Sequence, residues 1–494
     1  MKTKVSGMIN GKIWLKPVFL AAALAILNVG GCGRADRTMP ITTDSPEALD
    51  KYMQANELIE NIRVSDAQVL LEEALELDPK FAMAHFSLCL VSDNDAERQK
   101  HLRHAADLAV RASKGEQLVI ETVRANLDGD YDRGFELTKK VAEMYPDDVR
   151  AYWRLGMMYN EREQYDDAVA TLKQALRLDK NFAPAYNNLG YIYRGMGEYK
   201  LAEKAFRTYI KLIPEEANPY DSMADLYMKM GRFDDAIAHY KMAIEKNPEF
   251  TISQRKIGTS YAFKGQYEEA RANYRLAYEI EPTNNGRIED LFGIAKTYIM
   301  EERYEEACDQ LDEVREIAME VGLDARVAQY EFCKALIYIY SNELDNALNQ
   351  LGKAEKLVKE YDYFKSFQMN AGYANISLRV VLLALQGNLG EAEEAVAGFE
   401  AKLNKDDRDM VEVFNGISGI LNYFKGDYES AAEQLAKSEP NNTYWQYYLG
   451  MALLESGNTD DAREVFENLA NFNDDIGFYA FNRNRAIAKL ASLE

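Results

Sequence analysis

The chain is poor in the side chains that most catalysis and metal binding require. In 494 residues there are four histidines, four cysteines and three tryptophans. His101 and His104 form an i, i+3 pair on one expected helix without an obvious third ligand, and the cysteines lack metal-like spacing, so no metal site is expected. No H-E-x-x-H, phosphate-binding loop, G-x-S-x-G or dinucleotide glycine pattern occurs. Gly416-Ile417-Ser418-Gly419 falls one residue short of a serine-hydrolase elbow and lies inside an expected helix. The chain reads as non-enzymatic and without a cofactor. Positive charge is also in deficit: 58 Lys and Arg against 81 Asp and Glu leave a net charge of -23, which disfavours nucleic acid and anionic membrane surfaces as partners. The apolar run from Pro17 to Leu27 is about half the ~20 residues that a membrane-spanning helix needs.

What the chain has in abundance is recurrence. G-Q-Y-E-E-A at Gly265 to Ala270 returns as G-R-F-D-D-A from Gly231, E-Q-Y-D-D-A from Glu163 and E-R-Y-E-E-A from Glu302. Taking a central residue in each unit places the centres at Ala55, Cys89, Thr122, Gly156, Gly190, Ala224, Gly258, Ala295, Ala335, Val380, Gly419 and Gly450. The first six steps are 33 or 34 residues, and the next three are 37, 40 and 45. Three residues past the centre stands Tyr159, Tyr193, Tyr227, Tyr261, Tyr298 or Tyr338; twelve past it comes a small residue such as Ala168, Ala202, Ala236 or Ala270. Sixteen past it comes a bulky one such as Leu172, Phe206, Tyr240 or Tyr274, and twenty-four past it five units place a proline, as at Pro214, Pro248 and Pro282.

This phase predicts helix, turn, helix, break. Small residues at the centre and twelve positions on let two antiparallel helices approach, while the bulky ones fill the space between pairs. Gly197, Gly231 and Gly265 can take the left-handed conformation that ends the first helix, and acidic pairs such as Asp166 and Asp167 suit the positive start of the second. Proline then stops it. The pattern resembles the tetratricopeptide repeat family, most closely from Tyr152 to Pro282. The resemblance implies an all-α, right-handed superhelical solenoid of about twelve helix-turn-helix units. The unit around Cys89 departs from it with His101 where the family prefers alanine, and the unit around Val380 lacks both the small centre and the tyrosine.

Ahead of the array, Lys2, Lys4, Lys12 and Lys16 precede the apolar run, and Val29-Gly30-Gly31-Cys32 follows it. That order reads as a signal peptide over residues 1–31, and its end resembles a bacterial lipobox whose acylated Cys32 would begin the mature chain. An ordinary secretory signal is the alternative. Gly33 after the cysteine resembles lipoproteins sent to the outer membrane, which implies a lipid-anchored protein facing the periplasm. Removing residues 1–31 takes away four of the 58 basic residues and none of the 81 acidic ones, so net -23 becomes -27. Residues 32–46 read as a lipidated cysteine and flexible tether. Cys89, Cys308 and Cys333 remain, either as free thiols or with a bridge between the last two.

Two arrays are expected: a regular one over 47–283 and one with longer helices over 284–476, closed by a solvating cap helix over 477–494 that carries Arg483, Arg485 and Lys489. In the family the first helices line a concave groove. Mapped onto the regular units, that face comprises Arg150, Trp153, Met157 and Asn160, then Asn187, Tyr191 and Arg194, then Asp221, Asp225 and Met228, then Arg255 and Thr259. Arginine there could grip a carboxylate, and Trp153 or Tyr191 could cover an apolar side chain of an extended peptide. A carboxylate clamp of the family's kind is not expected, because Trp153 stands where it needs a base. The resulting expectation is a membrane-tethered scaffold for protein or peptide segments, active in assembly or export of envelope proteins. The alternative is a periplasmic binding lipoprotein using aromatic clusters at Tyr361 to Phe367 and Tyr444 to Tyr448 to hold a peptide or glycan.

Overall fold

The computed structural model describes residues 37–61, 63–92, 94–360, 365–471, 473 and 479–493. The expected signal peptide, Cys32 and the first residues of the tether lie outside the described residues. Among the described residues there are 25 α-helices, one short 3-10 turn and no strand. The helices form twelve consecutive pairs: α1 (Pro46–Glu60) with α2 (Val64–Leu77), α3 (Ala82–Val91) with α4 (Asp95–Leu108), α5 (Lys114–Leu127) with α6 (Tyr131–Met144), and α7 (Val149–Glu161) with α8 (Tyr165–Leu178). Next come α9 (Ala183–Gly195) with α10 (Tyr199–Leu212), α11 (Asn218–Lys229) with α12 (Phe233–Lys246), α13 (Thr251–Phe263) with α14 (Tyr267–Ile280), and α15 (Asn284–Met300) with α16 (Tyr304–Glu320). The series ends in α17 (Asp324–Tyr340) with α18 (Leu344–Glu360), α19 (Lys365–Leu385) with α20 (Leu389–Glu400), α21 (Arg408–Lys425) with α22 (Tyr428–Leu435), α23 (Thr443–Glu455) with α24 (Thr459–Ala470), and the single α25 (Tyr479–Ser492).

Every centre read from the sequence falls in the first helix of a pair, including Cys89 in α3 and Val380 in α19, so both irregular units are helical hairpins. In α8 the buried Ala168, Leu172 and Ala175 repeat at i, i+4 and i+7 toward the partner, while Asp166 and Asp167 occupy the first turn and Arg177 the last. The turn glycines Gly197, Gly231 and Gly265 have φ of +75°, +70° and +74°. The helices from α15 to α19 are longer, 17 residues in α15 and 21 in α19, but α20, α22 and α24 are only 12, 8 and 12 residues, so the expected second array of longer helices does not extend through residue 476. The apolar core does not divide at residue 283: one cluster runs from Ala202 to Phe481.

Two further expectations need correction. Residues 37–45 are not a loose leash. Met39 is 1% exposed, its N–H donates to Asp148 Oδ2 at 2.9 Å, and Thr42 donates to Glu116 through both its N–H and its hydroxyl. Glu116 also closes a capping box with Ser113, so one carboxylate ties the segment to the start of α5. Gly115 allows this approach; a Cβ there would lie 2.6 Å from Met39 Cγ. Second, α25 does more than solvate the last pair. Asn484 bonds to the Met300 carbonyl and the Tyr267 hydroxyl, Phe481 stacks on Tyr340 at 4.8 Å, and Arg485 lies over both Tyr340 and Tyr447. It therefore ties the twelfth pair to the seventh, eighth and ninth.

The array also returns on itself. Asn94, in the turn of the second pair, donates to the Val321 carbonyl at the end of the eighth; α5 of the third pair touches α19 of the tenth; and Glu163 of the fourth pairs with Arg408 of the eleventh. Contacts about seven pairs apart correspond to successive turns of a superhelix stacked edge to edge.

Candidate functional site

The first helices of neighbouring pairs lie side by side, so an inner-face residue meets its counterpart about one repeat later. The structure turns much of the predicted groove into a ladder of such contacts. Trp153 donates its indole N–H to Asn188 and packs edge-on against Phe182. Tyr191 donates to Asp225 at 2.8 Å; Lys256 donates to Asp221 at 2.6 Å and to Asp225 at 2.9 Å; Ser253 and Tyr240 complete the two carboxylates. Arg255 reaches Asp290, Glu281 and the Gly286 carbonyl.

These bonds change what the residues can do. Trp153 is 4% exposed, Met228 6% and Thr259 5%, the last bonded to the Tyr274 hydroxyl, so these three belong to the core and do not present themselves to a peptide. Asp221 is buried too. Burial pushes its carboxyl up, against Lys256, while at Asp225 the same burial is outweighed by Lys256, Arg194 and Tyr240, which hold it below the usual carboxylate range. Burial alone would lower Lys256, yet the two carboxylates raise it, so the ammonium is held charged. Asp290, pushed up to about 6 by burial against the pull of Arg255, closes the next rung.

The face is more open in the fourth and fifth pairs, where Arg150, Met157, Asn160, Asn187, Tyr191 and Arg194 are half-buried. Arg150 pairs with Glu60 at 3.1 Å across from α1, and Arg194 lies over the Tyr191 ring at 4.9 Å. Near Arg150 and Glu60 stands Arg154, which the sequence mapping passed over because it sits one residue beyond the Trp153 position. Its Nε is shut off from solvent without a hydrogen-bond partner among the described residues, as is Asn187 Oδ1 on the neighbouring helix. Burial pushes the Arg154 guanidinium down to about 10. Arg150 and Arg154 share the acids Glu60 and Asp148 here, while Arg194 acts on Asp225 at the start of the ladder.

The remaining sequence candidates fall elsewhere. Tyr444, Trp445 and Tyr447 are buried, Tyr448 is packed among Tyr423, Phe424 and Tyr444, and Arg485 of α25 lies over Tyr447, so this cluster is core. The side chains of the other aromatic cluster, Tyr361 to Phe367, lie outside the described residues. Cys308 and Cys333 are free, and burial pushes their thiols up to about 11 and about 12. His85, which sequence spacing did not connect to His101, brings its Nδ1 within 3.0 Å of His101 Nδ1 and its ring 4.9 Å from that of His104. Among the described residues no group of three or more His, Cys, Asp or Glu is arranged to hold a metal, and no helix is long and apolar enough to cross a membrane.

Comparison with known proteins agrees with the residue pattern. Models described as TPR repeat or tetratricopeptide repeat match residues 156–197, 183–216, 222–250, 256–284 and 419–476. The chain therefore carries tetratricopeptide repeats. It is 26% identical over 174 residues to the type IV pilus assembly protein PilF of Pseudomonas aeruginosa, a span of 33% of this chain and 67% of that protein. Among solved structures, MamA is 29% identical over 34% of this chain and 94% of its own, with a TM-score of 0.28. YrrB, described as a TPR protein with an unusual peptide-binding site, is 23% identical over 38% of this chain and 97% of its own, with a TM-score of 0.26.

Proposed function

We propose that this tetratricopeptide-repeat chain is a non-enzymatic scaffold that holds extended segments of other proteins on its inner face. In this reading an acylated Cys32 anchors it to a bacterial envelope membrane, the outer one on account of Gly33, and it serves assembly or export there. The observation that carries the reading is the open stretch around Arg154 and Asn187. The side chains of Arg154 and Asn187 are half-buried, and on turning toward a bound segment the guanidinium would donate to its carboxylate or carbonyl and the amide oxygen would accept from a backbone N–H. A relative named for pilus assembly is in keeping with such a role. With residues 37–45 docked and Arg37 held against Asp147, the distance from Cys32 to the array is limited to five residue steps, at most about 18 Å, so the junction of the third and fourth pairs would ride close to the membrane.

Recovery of partner proteins from solubilised envelopes tests the scaffold. Arg154→Ala should weaken capture about tenfold or more at unchanged helical content, as loss of a charge-assisted hydrogen bond implies. Saturable binding of a small molecule with no protein partner would count against it. Cys32→Ser should release the protein from membranes; continued membrane association would remove the lipid anchor from the proposal.

A further inference from the structure

The outer helices carry a charge pattern that the inner face does not explain. At 10, 14, 17 and 21 residues past the centre, the fifth pair places Lys200, Lys204, Arg207 and Lys211 along α10. All four are exposed, and together they line a shallow depression with Glu203 and Thr208. Positions 0, +4, +7 and +11 fall on one stripe of an α-helix about 16 Å long. Among the described residues, only Arg207 of the four has an acidic partner, Glu203 at 2.6 Å on its own helix. Like charges four residues apart oppose the helix, so this row is unfavourable in the isolated chain, and it stands out in a protein of net charge -23.

The same four repeat positions in the eighth pair hold Glu305, Asp309, Asp312 and Glu316 on α16. Glu305, Asp309 and Glu316 are exposed, and Asp312 is engaged with Lys334 and Arg315. No other pair puts four charges of one sign at these positions: the corresponding residues are Asp166, Ala170, Lys173 and Arg177 in the fourth and Asp234, Ala238, Lys241 and Glu245 in the sixth. Because 0, +4, +7, +11 reads the same in reverse, the two stripes match whether the helices run parallel or antiparallel. With about seven pairs per superhelical turn, pairs five and eight face nearly opposite ways, so the two stripes of one molecule do not meet.

We infer that the α10 stripe docks on the α16 stripe of a second copy of this chain, a head-to-tail contact that leaves a free stripe at each end and builds open chains of molecules. The inference is independent of what the inner face binds. At physiological ionic strength the Debye length is about 8 Å, so repulsion between the net charges is screened while ion pairs in contact persist. An anionic lipid surface, which would attract the basic stripe alone, leaves the matching acidic stripe unexplained.

The test is sedimentation of the full-length chain in non-ionic detergent over a range of concentration. The wild type should grow in mass with concentration, and less so as salt is raised. K200E/K204E/K211E and E305K/D309K/E316K, which leave the paired Arg207 and Asp312 in place, should each weaken self-association at least about tenfold. An equimolar mixture of the two should restore it, because each reversed stripe then meets its complement. A wild type that stays monomeric, variants that associate like it, or a mixture that stays monomeric would overturn the inference. So would loss of binding to phosphatidylglycerol vesicles, relative to phosphatidylcholine ones, in the lysine variant without any change in mass.

Discussion

Replacing Gly190 with alanine probes the packing rule on which the array depends. A Cβ at Gly190 would lie 2.4 Å from Phe206 Cε1 and 2.6 Å from its Cζ, against the 3.5 to 4.0 Å or so at which carbon atoms rest. Phe206 is fully buried and meets Tyr191 edge-on at 5.2 Å, so its ring has nowhere to retreat. Overpacking of this kind costs about 1 to 3 kcal/mol, and the better helix propensity of alanine returns at most about 1, leaving a net loss of up to roughly 2 kcal/mol. The chain contains its own remedy. In three units an alanine centre faces a leucine, Ala55 with Leu71, Ala295 with Leu311 and Ala335 with Leu351, all fully buried, while Ala224 faces Tyr240. Phe206→Leu alone should lose about 1 to 2 kcal/mol through the space it leaves. Gly190→Ala with Phe206→Leu should then lose at least about 1 kcal/mol less than the sum of the two. Stacked pairs unfold in parts, so amide exchange across α9 and α10 is a better assay than one melting temperature. Unchanged exchange in Gly190→Ala, or strict additivity in the double variant, would refute the reasoning.

Two further outcomes follow from local geometry. At the turn where other units use glycine, Glu163, Glu302 and Asn342 hold φ near +60°; Glu302→Gly should stabilise the eighth pair by about 1 kcal/mol in urea unfolding, whereas Glu163→Gly should gain less because it also loses Arg408. His85 is pushed down to about 4, by burial first and then by His101, with Lys100 and His104 adding to it and the Pro79 carbonyl opposing. The unfolded chain therefore binds its proton more readily, so the His85 contribution to stability is complete above about pH 6.5 and is lost as pH falls toward 4. Thermal unfolding at pH 7 and pH 5 should show the second pair weakening, by roughly 2 kcal/mol at most, and His85→Gln should flatten the dependence.

Much of the candidate site could be read in advance only as a list of positions. The spacing placed Arg150, Tyr191, Asp225 and Arg255 on the inner face, but not the fact that Tyr191 and Lys256 would satisfy Asp225, or that Trp153 would turn into the core against Phe182. Arg154 escaped notice because its importance lies in what it lacks, a partner for Nε among the described residues, and spacing carries no record of that. Met39 escaped because an apolar residue in a polar stretch has no periodicity to mark it; it is held by Asp148, 109 residues away.

The pairs themselves follow from sequence alone, since each depends on residues within about one repeat: a small centre, a facing bulky residue, a turn glycine and an acidic helix start. Which inner residues neutralise one another, how α25 reaches back to Tyr340 and Met300, and where Glu163 finds Arg408 were decided only by tertiary structure. Those contacts depend on the small rotation between neighbouring pairs summed over about seven of them, and no single repeat encodes that sum.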